Sequence, residues 1–236
     1  MRFWRRIIKK VSRFQGVEAS RKKLLKNIKK LYFKEKEKIE SKLKEFKNIF
    51  DKNGKDELFY ELVFCLLTPQ SKAKSCWGAI ENLKAKNLLK NPHDKKIAKE
   101  LQRKVRFHNN KAKYVVAARE LFLKNGKVDV KSSLKEFENT KAAREWLVEN
   151  VKGMGLKEAS HFLRNIGFGK HIAILDRHIL KNLKLLGVIK EMPKSLTQNV
   201  YFEIEEKMRR FAEKLGIPLD HLDLLFWRKE TGEYFK

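Results

Sequence analysis

The run Val151-Lys152-Gly153-Met154-Gly155-Leu156-Lys157-Glu158-Ala159-Ser160, with Asp176 nineteen residues after Lys157, decides how this chain is read. Before it, Ala143, Trp146, Leu147 and Asn150 or Val151 share one helical face. After it, Leu156, Ala159, Leu163 and Ile166 recur at i, i+3, i+7 and i+10, an apolar stripe of helical period. The spacing predicts a helix over Thr140–Val151, a turn over Lys152–Gly155 and a second helix over Leu156–Ile166. Glycines let the backbone approach a phosphate closely and adopt dihedrals closed to other residues. The free N–H groups and dipole at the start of the second helix then favour an anion. Gly153, Gly155 and Lys152 are therefore candidate phosphate-binding residues. An ordinary helix–helix turn fits Gly-x-Gly equally well, so the chemistry around it must decide.

Two residues supply that chemistry. Lys157 stands in the first turn of the second helix, where the dipole disfavours a cation. An amine attacks only in its neutral form, and partial burial, a helix start and a neighbouring cation such as Lys152 all favour that form. Asp176 follows the apolar run Ile172–Leu175 and precedes the helical pattern Arg177–Leu186, which ends at Gly187. It is a natural N-cap. A cap also fixes a carboxylate rigidly, where it can stabilise positive charge developing on a sugar ring.

Charge names the partner class. The 236 residues carry 56 Lys and Arg against 29 Asp and Glu, a formal net charge of +27. A heat-adapted surface explains high charge of both signs. It does not explain the imbalance, which favours a polyanion, since each neutralised phosphate releases a counterion. Cys65 and Cys76 are the two cysteines. Two argue against a disulfide scaffold, fit a reducing compartment and exclude an iron–sulfur cluster held by four cysteines of this chain. The longest apolar stretch, Leu58 to Leu67, is too short to span a bilayer and carries Glu61. No secretory signal is expected; Met1–Val17 lacks acidic residues, as a transit peptide does.

Most of the chain reads as helix, and no segment alternates with period two for long enough to demand a sheet, so the expected fold is all-α. Residues 1–40 hold fifteen Lys and Arg and four Glu, with Leu24, Leu25, Ile28 and Leu31 at helical spacing. They predict a basic amphipathic helix or a pair of helices, serving either DNA backbone contact or plain packing with a solvated face. Glu57–Cys65 reads as a buried helix broken at Thr68-Pro69-Gln70. Further helices run through Ala73, Cys76, Trp77, Ile80 and Leu83, and from Asn110 to Leu121. The division expected is a basic arm over 1–54 and a main domain over 55–236.

The hairpin run, with Ile174-Leu175-Asp176-Arg177-His178, resembles the helix-hairpin-helix DNA glycosylase superfamily. The proline of that family's loop is absent, while Gly167 and Gly169 are present. A lysine at the Lys157 position resembles the branches that are both glycosylase and lyase; the missing four-cysteine cluster speaks against the endonuclease III branch. Leu67-Thr68-Pro69-Gln70, Val105-Arg106-Phe107 with Lys111-Ala112, and Leu224-Leu225-Phe226-Trp227 through Thr231-Gly232 to Lys236 are similar to the compact archaeal-type 8-oxoguanine DNA glycosylases, the second Ogg family. The likeness covers roughly residues 55–236 and leaves the arm 1–40 unexplained.

The resemblance implies two helical subdomains with the active-site cleft between them, and a set of roles. Lys157 would be the Schiff-base nucleophile and Asp176 the essential carboxylate. Gln70 would fill the gap left by a flipped base, although a cap beside Pro69 also fits. Arg106 would read the opposite base, or else touch a phosphate. Phe107 and Trp227 would sandwich the extruded purine, or be plain core. Lys236 would meet the base edge, or be a frayed end. The implied activity is excision of 8-oxoguanine from duplex DNA by base flipping, followed by β-elimination at the abasic site. It calls for no redox cofactor and no catalytic metal; a cation at the hairpin carbonyls would be structural. The expected partner is double-stranded DNA containing oxidised guanine, with no membrane, a monomer as the working form, and the prokaryotic cytoplasm at the nucleoid as the setting. A glycosylase for another damaged base, a non-catalytic helix-hairpin-helix DNA-binding module and a basic RNA-binding protein are the alternatives.

Overall fold

The structure, a computed structural model, describes the backbone of residues 2–52 and 54–235 and the side chains from Ser20 onward apart from that of Lys55. Eleven α-helices run through the described residues: α1 Arg2–Asp51, α2 Lys55–Leu67, α3 Ala73–Ala85, α4 Asp94–Leu101, α5 His108–Leu121, α6 Val130–Lys135, α7 Thr140–Asn150, α8 Leu156–Asn165, α9 Arg177–Leu185, α10 Gln198–Leu215 and α11 Leu219–Thr231. The fold is α-helical, as expected. The one addition is a two-residue ladder in which β1 Leu123–Lys124 pairs antiparallel with β2 Lys127–Val128. Asn125 and Gly126 turn it with φ of 51° and 74°. Two positive φ values in an Asn-Gly pair are the signature of a tight hairpin turn, a signal present in the sequence but flanked by strands too short to alternate.

The helices bury two apolar cores. The first gathers α2 through α8, with Phe59, Phe64, Phe122, Leu147 and Phe162 at its centre. The second gathers α9, α10 and α11 with one face of α1, including Tyr32, Ile39, Phe46, Leu183, Tyr201 and Phe226. Ile49 packs against both. These are the two helical subdomains, and α8 runs at their join: Ala159 and Phe162 enter the first core while Leu156 packs on the second.

Residues 2–51 form one continuous helix rather than a pair. Leu24, Ile28, Tyr32, Ile39, Leu43 and Phe46 stack along one side of α1 because a helix repeats its face every three or four residues. The lysines between them, among them Lys22, Lys26, Lys29 and Lys30, stay exposed. Packing crosses residue 54: Ile28, Tyr32, Ile39 and Phe46 of α1 share a core with α9, α10 and α11. Gly167 shows how close that packing is. Its φ is +91°, and a Cβ there would lie 2.7 Å from the Lys47 Cα. Only glycine lets the chain leaving α8 pass under α1 at that distance. No described helix is long and apolar enough to cross a membrane.

Candidate active site

The hairpin forms where the spacing put it: α7, a turn over residues 151–155, then α8. Gly153 sits at φ +85°, and a Cβ there would meet the Tyr114 ring at 2.2 Å. The glycine thus serves both a left-handed backbone and a tight approach to α5. Gly155 is the N-cap of α8, extended, with no side chain capping the helix. The first-turn N–H groups of a helix have no partners within it, so this end suits an anion, and exposed Lys152 stands beside it.

Lys157 projects from that first turn, partly exposed, with Nζ 2.9 Å from Glu158 Oε1. Glu158 was not singled out from sequence. It is the acidic residue of the first turn of α8, where the dipole favours a carboxylate. Any nucleophilic use of this amine would require the ion pair to open.

Asp176 is the N-cap of α9; its Oδ1 accepts the Ile179 N–H at 2.8 Å. Burial holds its carboxyl above the usual carboxylate range, against the lowering pull of that N–H and of nearby His178 and Lys157. The amine and the carboxylate therefore share one electrostatic neighbourhood.

What puts Asp176 there is a polar framework that sequence reasoning missed. The segment 172–175 is buried and belongs to no helix or strand, so its backbone groups need partners from elsewhere. The Ala173 N–H donates to Glu205 Oε1 at 2.8 Å. The Tyr201 hydroxyl donates to the Ala173 carbonyl at 2.7 Å and accepts the Leu175 N–H at 3.3 Å. The Ile174 N–H bonds Asp223. Each of these three side chains also reaches the hairpin. Glu205 forms a two-point ion pair with the fully buried Arg144 of α7, at 2.7 and 2.9 Å. Tyr201 lies 3.3 Å from Ser160 Oγ of α8. Asp223 lies 4.0 Å from Arg164 of α8. Burial pushes the Asp223 carboxyl up to about 7, with Arg164 pulling the other way.

Trp227 is half-buried on α11 and meets the His178 ring edge-to-face at 5.4 Å. Its indole N–H has no hydrogen-bond partner, an unusual state for a buried tryptophan donor. The chain beyond α11 is fastened across both cores. Glu233 pairs with Lys74 at 2.8 Å, the Tyr234 hydroxyl reaches Glu35 at 3.3 Å, and Phe235 packs on Phe64. Lys236 lies outside the described residues.

The remaining candidates sit on two turns. Gln70 is exposed at φ +55° after α2, and Phe107 is half exposed at φ +55° before α5. Left-handed backbone at non-glycine residues costs on the order of 1–2 kcal/mol each and collects at functional sites. The Arg106 guanidinium lies 5.3 Å from the Phe107 ring centre. Buried Lys111 joins the two turns. Its Nζ donates to the carbonyls of Leu67 and Pro69 at 2.6 and 2.8 Å and to Ser71 Oγ at 3.0 Å, while Ser71 Oγ accepts the Arg106 N–H at 2.9 Å.

Fold and site together define a helix-hairpin-helix protein carrying an amine and a carboxylate at the join of two helical subdomains. A family model described as 8-oxoguanine DNA glycosylase matches residues 39–217. A curated relative from Fusobacterium nucleatum, named 8-oxoguanine DNA glycosylase/AP lyase, is 50% identical over 209 residues, covering 89% of this chain and 96% of its own. One of the same name from Methanocaldococcus jannaschii is 40% identical over 216 residues, covering 90% and 99%. The crystal structure of Methanocaldococcus jannaschii 8-oxoguanine glycosylase/lyase in complex with 15mer DNA containing 8-oxoguanine matches with a TM-score of 0.81 at 36% identity, over 90% of this chain and 99% of that one. The crystal structure of the Thermotoga maritima 8-oxoguanine DNA glycosylase matches with a TM-score of 0.80 at 33% identity, over 92% and 100%. The chain belongs to the helix-hairpin-helix 8-oxoguanine DNA glycosylase family.

Proposed function

We propose that this protein removes 8-oxoguanine from duplex DNA and cuts the strand at the site it leaves, with Lys157 as nucleophile. The observation that supports the residue assignment is that the Lys157 amine, in the first turn of glycine-capped α8, acts electrostatically on the Asp176 carboxylate that caps α9. Phosphate held at Gly153, Gly155 and Lys152 sets the strand against that end of the helix. The damaged base leaves the stack, at a cost of a few kcal/mol. Phe107 and Trp227 receive it, and Gln70 and Arg106 occupy the gap and meet the opposite base.

The Lys157 nitrogen then bonds to C1′ as the glycosidic bond breaks. The base takes the electron pair and a proton. Asp176, ionised, stabilises the positive charge on the sugar. The nitrogen loses its protons as the ring opens, the ring oxygen gains one, and an imine joins enzyme and sugar. The imine acidifies the C2′ hydrogen. Its loss expels the 3′ phosphate and breaks the strand; water then releases the lysine.

Every group of this scheme comes from one chain, which supports a monomer as the working form. The exposed lysines of α1 extend the positive surface that a phosphate backbone meets, which supports a DNA-contacting role for the arm. A DNA substrate supports the cytoplasm, at the nucleoid, as the setting.

Borohydride reduces an imine to a stable amine, so it tests the assignment. On an 8-oxoguanine duplex the wild type should be trapped as a covalent adduct. Lys157→Gln should abolish trapping and keep duplex binding. Full trapping in that variant rejects Lys157 as the nucleophile, and no trapping by the wild type rejects the imine.

A further inference from the structure

Lys111 is 3% exposed, yet none of the chemistry above uses it. An ammonium has three donors, and here all three are engaged: Leu67 O, Pro69 O and Ser71 Oγ. The two carbonyls lie at and just beyond the C-terminal end of α2, where helical carbonyls lack intrahelical partners and the dipole favours a cation. The Ser71 hydroxyl carries the connection on to the Arg106 N–H at 2.9 Å. One side chain from α5 thus ties the turn bearing Gln70 to the turn bearing Arg106 and Phe107. Both turns contain a left-handed non-glycine residue, a conformation that persists only when its surroundings hold it. Burial lowers the Lys111 amine to about 8; Cys76 and Glu158 oppose that, and Lys157 and Arg106 add to it. A buried cation is costly to keep, and a neutral side chain of similar length would fill the space.

We infer that Lys111 is a positioning residue for lesion recognition, holding the Gln70 turn and the Arg106–Phe107 turn as one rigid unit so that both enter the DNA in register. The inference rests on the proposed roles of Gln70 and Arg106, which are tested separately.

The experiment compares wild type with Lys111→Met, Ser71→Ala, Gln70→Ala and Arg106→Ala, each assayed well below its own melting temperature. Three quantities are read: single-turnover excision of 8-oxoguanine placed opposite C and opposite A, strand cleavage at a pre-formed abasic site, and the fluorescence of 2-aminopurine beside the lesion as the base flips. Lys111→Met should slow excision by about 10-fold or more, since misplacing recognition groups by about 1 Å costs up to 10²-fold. It should bring the C-to-A ratio closer to one and weaken the fluorescence change. Cleavage at the abasic site, which requires no base to be extruded, should stay within about 3-fold. Ser71→Ala, which removes the link to Arg106 and one of the three Lys111 contacts but leaves both carbonyl contacts, should move the same quantities less far, and it decides alone should Lys111→Met fail to fold. A uniform fall on both substrates, or wild-type discrimination in the lysine and serine variants while Gln70→Ala and Arg106→Ala lose it, overturns the positioning role. Unchanged flipping and discrimination in Gln70→Ala and Arg106→Ala instead overturns the underlying assignment of the two turns.

Discussion

Replacing Asp176 by asparagine separates two jobs done by one carboxylate. As the cap of α9, its Oδ1 accepts the Ile179 N–H at 2.8 Å. Asparagine caps as well as aspartate, so this contribution should survive to within a few tenths of a kcal/mol. The charge is another matter. Burial raises the carboxyl's pKa above the ordinary 3.8. A raised folded-state pKa gives a contribution to stability that is fully present below the unfolded value and lost as pH rises through the folded one. The asparagine variant lacks that titration, so from acid to neutral pH its stability should gain relative to wild type. Catalysis should move the opposite way. Loss of one preorganised electrostatic group costs about 10²- to 10³-fold in turnover, or about 2.7–4 kcal/mol. The assay pairs melting curves with single-turnover excision across the same pH range. The wild-type rate should fall as pH drops through the raised Asp176 pKa, and the variant should be slow and lack that acid limb. Turnover within about threefold of wild type would refute an electrostatic role, as the cap accounts for so small a change. A variant that melts well below wild type at neutral pH would refute the separation itself.

Three further outcomes follow from the packing. Gly153→Ala places a Cβ 2.2 Å from the Tyr114 ring at φ +85°; it should cost at least about 1–2 kcal/mol for the backbone alone and weaken binding to undamaged duplex, and a denaturant midpoint and affinity equal to wild type would contradict it. Glu205→Ala strands the fully buried Arg144 and should cost about 3–5 kcal/mol, read by denaturant unfolding; a loss under about 1 kcal/mol would show that the pair is not needed. Removing Lys236 alone leaves the anchors at Glu233, Tyr234 and Phe235, so the melting temperature should hold while 8-oxoguanine excision falls and cleavage at a pre-formed abasic site survives in part. Paired kinetics on the two substrates check this, and equal effects on both remove the terminal lysine from base reading.

The hairpin was legible because its signals are local. The stripe Leu156, Ala159, Leu163, Ile166, the paired glycines and the cap at Asp176 each lie within a few residues of what they specify. Arg144 had no such signal. It reads as one more charged residue at the edge of the apolar face of α7, three residues before Leu147, and it is buried because Glu205 arrives from 61 residues away. Arg164 and Asp223 were hidden for the same reason. Lys111 is one of 56 basic residues; the resemblance includes it without a role, and only the fold brings it to Leu67, Pro69 and Ser71. In α1 the apolar spacing at Leu24, Leu25, Ile28 and Leu31 was readable, but its continuity to Asp51 was not, since nothing in a run of good helix formers says whether a turn interrupts it. Glu158 could have been found from its place in the first turn beside Lys157.

The distribution of those hidden residues explains why an amine on one element and a carboxylate on another can keep a fixed relation. The segment leading to Asp176 has irregular backbone and, among the described residues, no strand beside it. Three successive N–H groups, those of Ala173, Ile174 and Leu175, go to Glu205, Asp223 and Tyr201. Tyr201 and Glu205 stand four apart on α10 and so share a face; with Asp223 of α11 they act as a strand made of side chains. Each also reaches the hairpin, at Ser160, Arg144 and Arg164. Apolar packing alone would leave this segment free to slide, because it is indifferent to direction. Hydrogen bonds to named atoms are not, and their loss in a buried setting carries the full desolvation penalty of the orphaned group. The buried charges at Arg144, Arg164 and Asp223 are therefore read as the cost of holding Asp176 in register with Lys157. Softening any one of the three bridges should therefore lower the excision rate more than it lowers duplex affinity, since the phosphate contacts proposed at Lys152, Gly153 and Gly155 involve none of the three.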